Sequence, residues 1–420
     1  MVTLLALLSP TAYAHATALL EGLEVQDHAL GGVVVEASFG VLWQEPQDHA
    51  WHWICHEAVT QEGAVIAPRY AFAADGAVLA VVPALEQARE PGRPVYRSED
   101  RCDWLPVAGL DDVPVIDVAA DPTDPARAIV IASDVAGGSG GSIHQSVDGG
   151  RTFETVLAAP ERYYRSVTHT STGEVWVAAA WYDAPGAWAL HSIDGGRTWR
   201  EHALPLPAVA AGTDVDADVL LADETGAWFA IGPFRDDQLV HVTSEGVITD
   251  VAEPGLELTD LARSSDGTLW LAGNADTYLR LDTTGTTVLE DAPTGQGVQV
   301  VGDVLRLALR SRLDGTQLVE STDRGETFTP TFHLSELRPP PVCPADSPVA
   351  LRCDPLWPAL EARLPLAPGE QPDTGTDAPD PDDTADIPPA VEGGEEKARC
   401  GGGSAAVLLL PLALAARRRR

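Results

Sequence analysis

Lysine is almost missing from this 420-residue chain; Lys397 is the only one. Lysine and arginine together number 27 against 63 aspartates and glutamates, a formal charge of −36. A surface so negative repels phosphate backbones and anionic lipid headgroups, which excludes nucleic acid as a partner. Basic proteins, cations and neutral glycans remain, and the excess charge also serves plain solubility. Aromatic residues make up only 6%, although 11 of them are tryptophan. No helix-forming stretch of Ala, Leu, Glu and Lys runs through the middle. With 38 Gly and 33 Pro the chain turns often, a profile of all-β structure built from many short strands. The recognisable chemical motifs are also missing. There is no Gly-x-Ser-x-Gly elbow and no zinc-binding helix motif, and the loop Gly137 to Gly141 lacks the lysine and helix of a phosphate cradle.

Both ends read as addresses. Residues 1–14 are an apolar run closing on Ala12-Tyr13-Ala14, the pattern of a signal peptide cleaved before His15. Residues 369–399 form a spacer whose span 370–396 holds ten acidic residues and almost nothing apolar. Such a stretch cannot offset the cost of ordering its backbone and is expected to stay disordered. Residues 400–420 begin with Cys400 and continue through an apolar run, Ala405 to Ala416, to four arginines. The run is shorter than the ~20 residues of a lasting membrane helix. Cysteine, short apolar run and arginine cluster together resemble the C-terminal sorting signals of myxobacteria and their relatives. That resemblance implies an exported protein held at the cell surface or outer membrane through Cys400, touching the membrane by this anchor only.

The middle, residues 15–335, repeats. Three segments align without gaps: Ser146, Asp148, Gly150, Thr152 and Phe153; Ser192, Asp194, Gly196, Thr198 and Trp199; and Ser321, Asp323, Gly325, Thr327 and Phe328. In this Ser-x-Asp-x-Gly-x-Thr-Trp/Phe pattern the aspartate accepts from backbone N–H groups of a tight turn. The glycine takes a left-handed conformation, and the aromatic ring packs inward. The aspartate is a turn-former, not a catalytic acid.

Asp148 and Asp194 lie 46 residues apart, and Asp194 to Asp323 is 129, about three units. Two hidden repeats fall between, at Thr243 to Gly246 and Leu281 to Gly285. Worn copies precede at Ser98 to Trp104 and Trp43 to Trp53. Each unit has an earlier turn as well: Asp75-Gly76, Asp121 to Asp124, Thr172-Gly173, Thr225-Gly226, Asp266-Gly267 and Gly302-Asp303. Two turns and two linking loops per unit describe a four-stranded blade, and the units predict a β-propeller of seven blades, with six as the alternative. The repeats resemble the Asp boxes of bacterial neuraminidase-type propellers, a superfamily that takes in sialidases, some plant-cell-wall glucanases and the photosystem II assembly factors.

The cysteines are few: Cys55, Cys102, Cys343, Cys353 and Cys400. One or two disulfides are expected in an exported chain. Proximity pairs Cys343 with Cys353, inside a closing segment 336–368, and the repeat alignment pairs Cys55 with Cys102.

Sialidase-like chemistry needs an arginine trio, a Tyr–Glu nucleophile and an aspartic acid/base. Ala67-Pro68-Arg69-Tyr70 does not match the first arginine motif of that group, and Glu161 to Arg165 reads as a surface strand. His52 and His56, four apart with His49 nearby, read as one packing face of a strand, and Asp214, Asp216 and Asp218 as a solvated strand face. No metal, cofactor or catalytic residue is assigned. The expectation is a monomeric, non-catalytic surface propeller binding a cell-envelope protein or glycan, with a glycoside hydrolase as the alternative.

Overall fold

The computed structural model of the protein describes residues 25–27 and 33–364, apart from residues 38, 46–47, 61–67, 83–93, 134–139, 182–185, 208–214, 234–235, 274–276, 283–284, 290–294 and 310–314. The signal-like start, the acidic spacer and Cys400 lie outside the described residues.

The described strands form seven sheets, each built on a run of four consecutive antiparallel strands, and the first sheet gains a fifth, parallel strand from the end of the chain. Blades 1 to 7 span residues 25–54, 69–106, 115–159, 162–203, 216–252, 258–288 and 295–333. First strands of successive blades touch from blade 2 round to blade 7, and blade 7 touches the first strand of blade 1. The seven four-stranded blades expected from the repeat spacing are therefore present as a β-propeller.

Burial follows position in the blade. Second strands such as Val175–Trp181 and Gly226–Gly232 are buried almost throughout, because neighbouring blades cover both their faces. They read as continuous apolar runs instead of alternating ones. Fourth strands such as Ile248–Ala252 and Gly285–Val288 face solvent along most of their length, Val251 and Val288 included. The apolar clusters accordingly lie between blades. Trp176 and Ala178 of blade 4 pack with Ala217 and Phe229 of blade 5, and Trp228 of blade 5 with Leu261 and Leu271 of blade 6.

The three Ser-x-Asp-x-Gly-x-Thr segments form the turn between third and fourth strands in blades 3, 4 and 7. In blade 4, Asp194 Oδ1 accepts from Arg197 N at 3.0 Å and Thr198 N at 2.9 Å, while the Ser192 hydroxyl accepts from Gly196 N at 2.8 Å. Partial burial opposes ionisation of Asp194, but the bonds from Thr198, Ser192 and Arg197 prevail and hold its carboxyl at about 2. The shortened copy in blade 2 works alike, with Asp100 Oδ1 accepting from Cys102 N and Asp103 N, both at 2.9 Å.

These turns also dock each blade on the one before it. Gly150 (φ 78°) lies against Leu79 of blade 2, where a Cβ would come within 2.6 Å, and Gly196 (φ 95°) lies against Ile129 of blade 3. Arg97 Nε donates to Gly149 O at 2.6 Å, and Gln145 Nε2 donates to Gly195 O. The glycine thus satisfies two demands, a left-handed backbone and a close approach.

Ring closure uses a separate device. After blade 7, Leu337–Arg338 adds in parallel to Trp51–His52, the fourth strand of blade 1. Two short helices follow, Pro348–Arg352 and Trp357–Glu361. Val349, Cys353 and Trp357 complete a cluster that includes Phe332 of blade 7, Trp53 of blade 1 and Trp104 of blade 2.

Here the disulfide pairing expected from sequence is corrected. Cys55 bonds Cys353 across 298 residues, and Cys102 bonds Cys343 across 241. Neither Cys343–Cys353 nor Cys55–Cys102 forms, because each bridge joins the closing segment to a different early blade. The histidine reading is corrected too. The fourth strand of blade 1 ends at Ile54, and His56 opens a short helix, His56–Thr60, so His52 and His56 share no strand face.

Peptide mapping of the unreduced protein is expected to recover Cys55–Cys353 and Cys102–Cys343. Removing either bridge by Cys→Ser exchange is expected to cost about 2–5 kcal/mol of stability. Gly196→Ala, which strains the turn and crowds Ile129, is expected to cost about 1–3 kcal/mol in denaturant unfolding.

Candidate functional site

The first strands surround the centre of the ring, and their backbone N–H groups are stitched to polar side chains of the preceding blade. Glu36 accepts from Tyr70 N at 3.1 Å, Asp117 from Val167 N at 3.0 Å and Ser166 from Val219 N at 2.7 Å. Asp237 accepts from Leu258 N and Asp260 from Val298 N, both at 2.8 Å. In blades 3 to 7 the pairing of the first strand with the second slips by one residue. Such bulges leave one residue out of the ladder and re-aim its side chain. In blade 4 the skipped residue is Arg165.

Around Arg165 a charged cluster assembles from four blades. Its guanidinium lies 3.6 Å from both Asp216 and Asp218 of blade 5. Tyr163 Oη donates to Asp216 Oδ1 at 2.5 Å. Arg69, which opens the first strand of blade 2, lies 3.5 Å from Asp117 of blade 3. Arg69 and Asp216 keep about half their side-chain surface, at 49% and 48% exposed, so a ligand can reach both ends of the cluster.

The electrostatics tie the groups into one site. Burial raises the Asp117 carboxyl; Arg69 and the N–H of Val167 pull it down and the charge of Asp218 pushes it up, with a net rise. Burial works against the Arg165 cation, yet Asp218 and Asp216 outweigh it and strengthen the charge. Tyr163 is raised above its ordinary value by burial and by its bond to Asp216, so the hydroxyl keeps its proton. Asp237 is lifted to about 6 by burial, opposed by Leu258 N–H and reinforced by Asp218, Glu257 and Asp216.

Elsewhere on blade 4, Trp181 and Trp188 meet edge to face at 5.3 Å. The Arg162 guanidinium lies 5.7 and 5.2 Å from the two rings and 2.7 Å from Glu201.

One dismissal from the sequence is overturned. Glu161 to Arg165 is no surface strand entry: Arg162–His169 is an innermost strand. Asp216 and Asp218 stand on a strand and stay partly exposed, and both also pair with Arg165, while Asp214 lies outside the described residues. Asp117 was not singled out at all. Its signal was a lone acidic residue inside an apolar strand, Val115–Ala120, a few residues before a turn. The aspartates of the repeated turns, Asp148, Asp194 and Asp323, lie between third and fourth strands and take no part in the central cluster. Among the described residues no group of three His, Cys, Asp or Glu side chains is placed to hold a metal ion.

Asp260 gives the centre a pH dependence of its own. Burial lifts it to about 7, against the N–H bonds of Val298 and Leu261. The folded state then keeps a proton that the unfolded chain releases near pH ~3.9. Stability is expected to be full below that point and to fall as pH rises from about 4 to about 7, levelling off above. Asp260→Asn is expected to flatten this slope in denaturant unfolding measured at stepped pH.

No protein-family model matches the chain, and no curated protein matches it. Several solved structures follow a similar path. An enzyme of Niastella koreensis described as GH74 is 17% identical with a TM-score of 0.45, and covers 62% of this chain and 44% of its own. YCF48 bound to D1 peptide is 12% identical with a TM-score of 0.44, covering 69% and 88%. The extracellular domain of a hybrid two-component system from B. thetaiotaomicron is 12% identical with a TM-score of 0.49, covering 73% and 38%. The present chain thus spans less than half of the GH74 enzyme's chain and of that extracellular domain. At these identities the likeness is one of β-propeller fold alone.

Proposed function

We propose that the chain is an exported, non-catalytic binding propeller whose central cluster seats a segment of a cell-envelope protein or glycan. The observation that carries this reading is the convergence of Arg69, Asp117, Tyr163, Arg165, Asp216 and Asp218 from four blades onto one partly exposed site. Such a set offers donors and acceptors side by side, which suits a neutral, polar ligand. Binding without chemistry is favoured because both arginines already face carboxylates and are poorly placed to grip an acidic substrate. Tyr163 holds its proton and is a weak nucleophile.

One observation supports a second reading, a glycoside hydrolase. Asp117 is a buried carboxyl pushed towards its protonated form beside the charge of Asp218, the contrast of environments that an acid and a base require. Export is supported by the two disulfides, which persist in oxidising compartments. Anchoring through Cys400, and a monomeric state, belong to the same proposal.

The purified chain is expected to bind on arrays of glycans and envelope proteins. Arg165→Ala and Asp218→Asn should each weaken that binding about tenfold, or ~1.4 kcal/mol, without changing the unfolding transition. Absence of any binding, or indifference to both substitutions, would sink the reading. Release of reducing sugar that is lost in Asp117→Asn would establish the hydrolase instead. Labelling of intact cells, lost on Cys400→Ser, tests the anchor.

A further inference from the structure

The closing segment contains a feature that ring closure does not use. Between the strand Leu337–Arg338 and Cys343 runs Pro339-Pro340-Pro341-Val342, and Pro344 follows. Proline fixes its own φ, and the residue before a proline avoids the helical region. Arg338, Pro339, Pro340 and Cys343 all precede a proline, which disfavours helix at each of them and favours the polyproline II conformation, with three residues per turn.

Its burial repeats with that period. Pro340 is buried and Cys343 is half-buried in its disulfide, which sets one edge against the propeller. Pro339 is exposed and Val342 is fully exposed, at 103%, forming a second edge. Arg338, 57% exposed, with half-buried Pro341 and exposed Pro344, forms the third. Both ends are fixed. His52 Nδ1 donates to Pro339 O at 2.8 Å, and Cys343 is bonded to Cys102.

We propose that Arg338 to Pro344 is a docking ridge for a partner protein whose groove is lined by aromatic rings and carries a carboxylate for Arg338. Aromatic grooves recognise polyproline II helices because the helix is rigid before binding and loses little entropy. Two staples remove even more of that cost. The charge fits as well: Arg338 lies a loose 3.6 Å from Asp48 and stands as a cation on an acidic molecule. The ridge adjoins the fourth strand of blade 1, on the outside of the ring, whereas the charged cluster lies on first strands. The two sites are therefore separate and can be tested separately.

The test titrates the intact, oxidised chain into purified SH3, WW and EVH1 domains, each an aromatic-grooved reader of proline-rich helices, and follows the resonances of the groove residues. At least one domain is expected to bind through its groove. Arg338→Glu and Val342→Asp, both surface changes, should each weaken that binding about tenfold while thermal unfolding stays unchanged. Arg165→Ala should leave it intact. Failure of all three domains to bind would overturn the proposal. So would binding that ignores both ridge substitutions, or binding lost with Arg165→Ala.

Discussion

Each blade of this protein is a sheet with two apolar faces and no partner of its own. Everything else depends on covering those faces, and only neighbouring blades can do it. The apolar clusters sit in the seams for that reason, and a ring is the arrangement in which no seam is left open. Hydrogen bonds from first-strand backbone to polar side chains of the preceding blade then fix the spacing of the seams. Buried donors left without partners would each cost about 1–3 kcal/mol, so the stitching is a condition of packing as much as a supplement to it.

The same stitching explains why charge collects at the centre. First strands of a propeller converge, and side chains there meet those of the adjoining blades. Aspartates that accept backbone bonds across a seam are brought close to one another, and arginines from Arg69 and Arg165 offset part of the repulsion. Asp117 holds Val167 in place and also borders Arg69, so a substitution that changes the charge of the cluster there also loosens a seam.

How far the sequence could be read follows from the range of the forces involved. The repeated turns were legible because their chemistry is local: Ser192, Asp194, Gly196 and Thr198 bond mainly to one another within seven residues. Continuous apolar second strands such as Leu269–Gly273 were legible for the same reason. The central cluster was not, because it joins residues 69, 117, 163, 165, 216 and 218 through the curvature of the whole ring. Arg165 was harder still, since a one-residue slip in strand pairing decides where it points. The disulfides misled because sequence proximity and repeat alignment both ignore closure. Closing a ring brings the last segment to the first blades, and the cysteines follow.

That closure imposes an order of assembly. Cys55 and Cys102 leave the ribosome well before Cys343 and Cys353, and each must wait for a partner more than 240 residues later. Oxidation during the wait would join the two early thiols to each other and leave the late pair to do the same. The ring would then be complete in sequence yet without its clasp. A chain of this design therefore depends on the timing of its oxidant, or on an isomerase able to undo the premature bond, as much as on the stability of the finished ring.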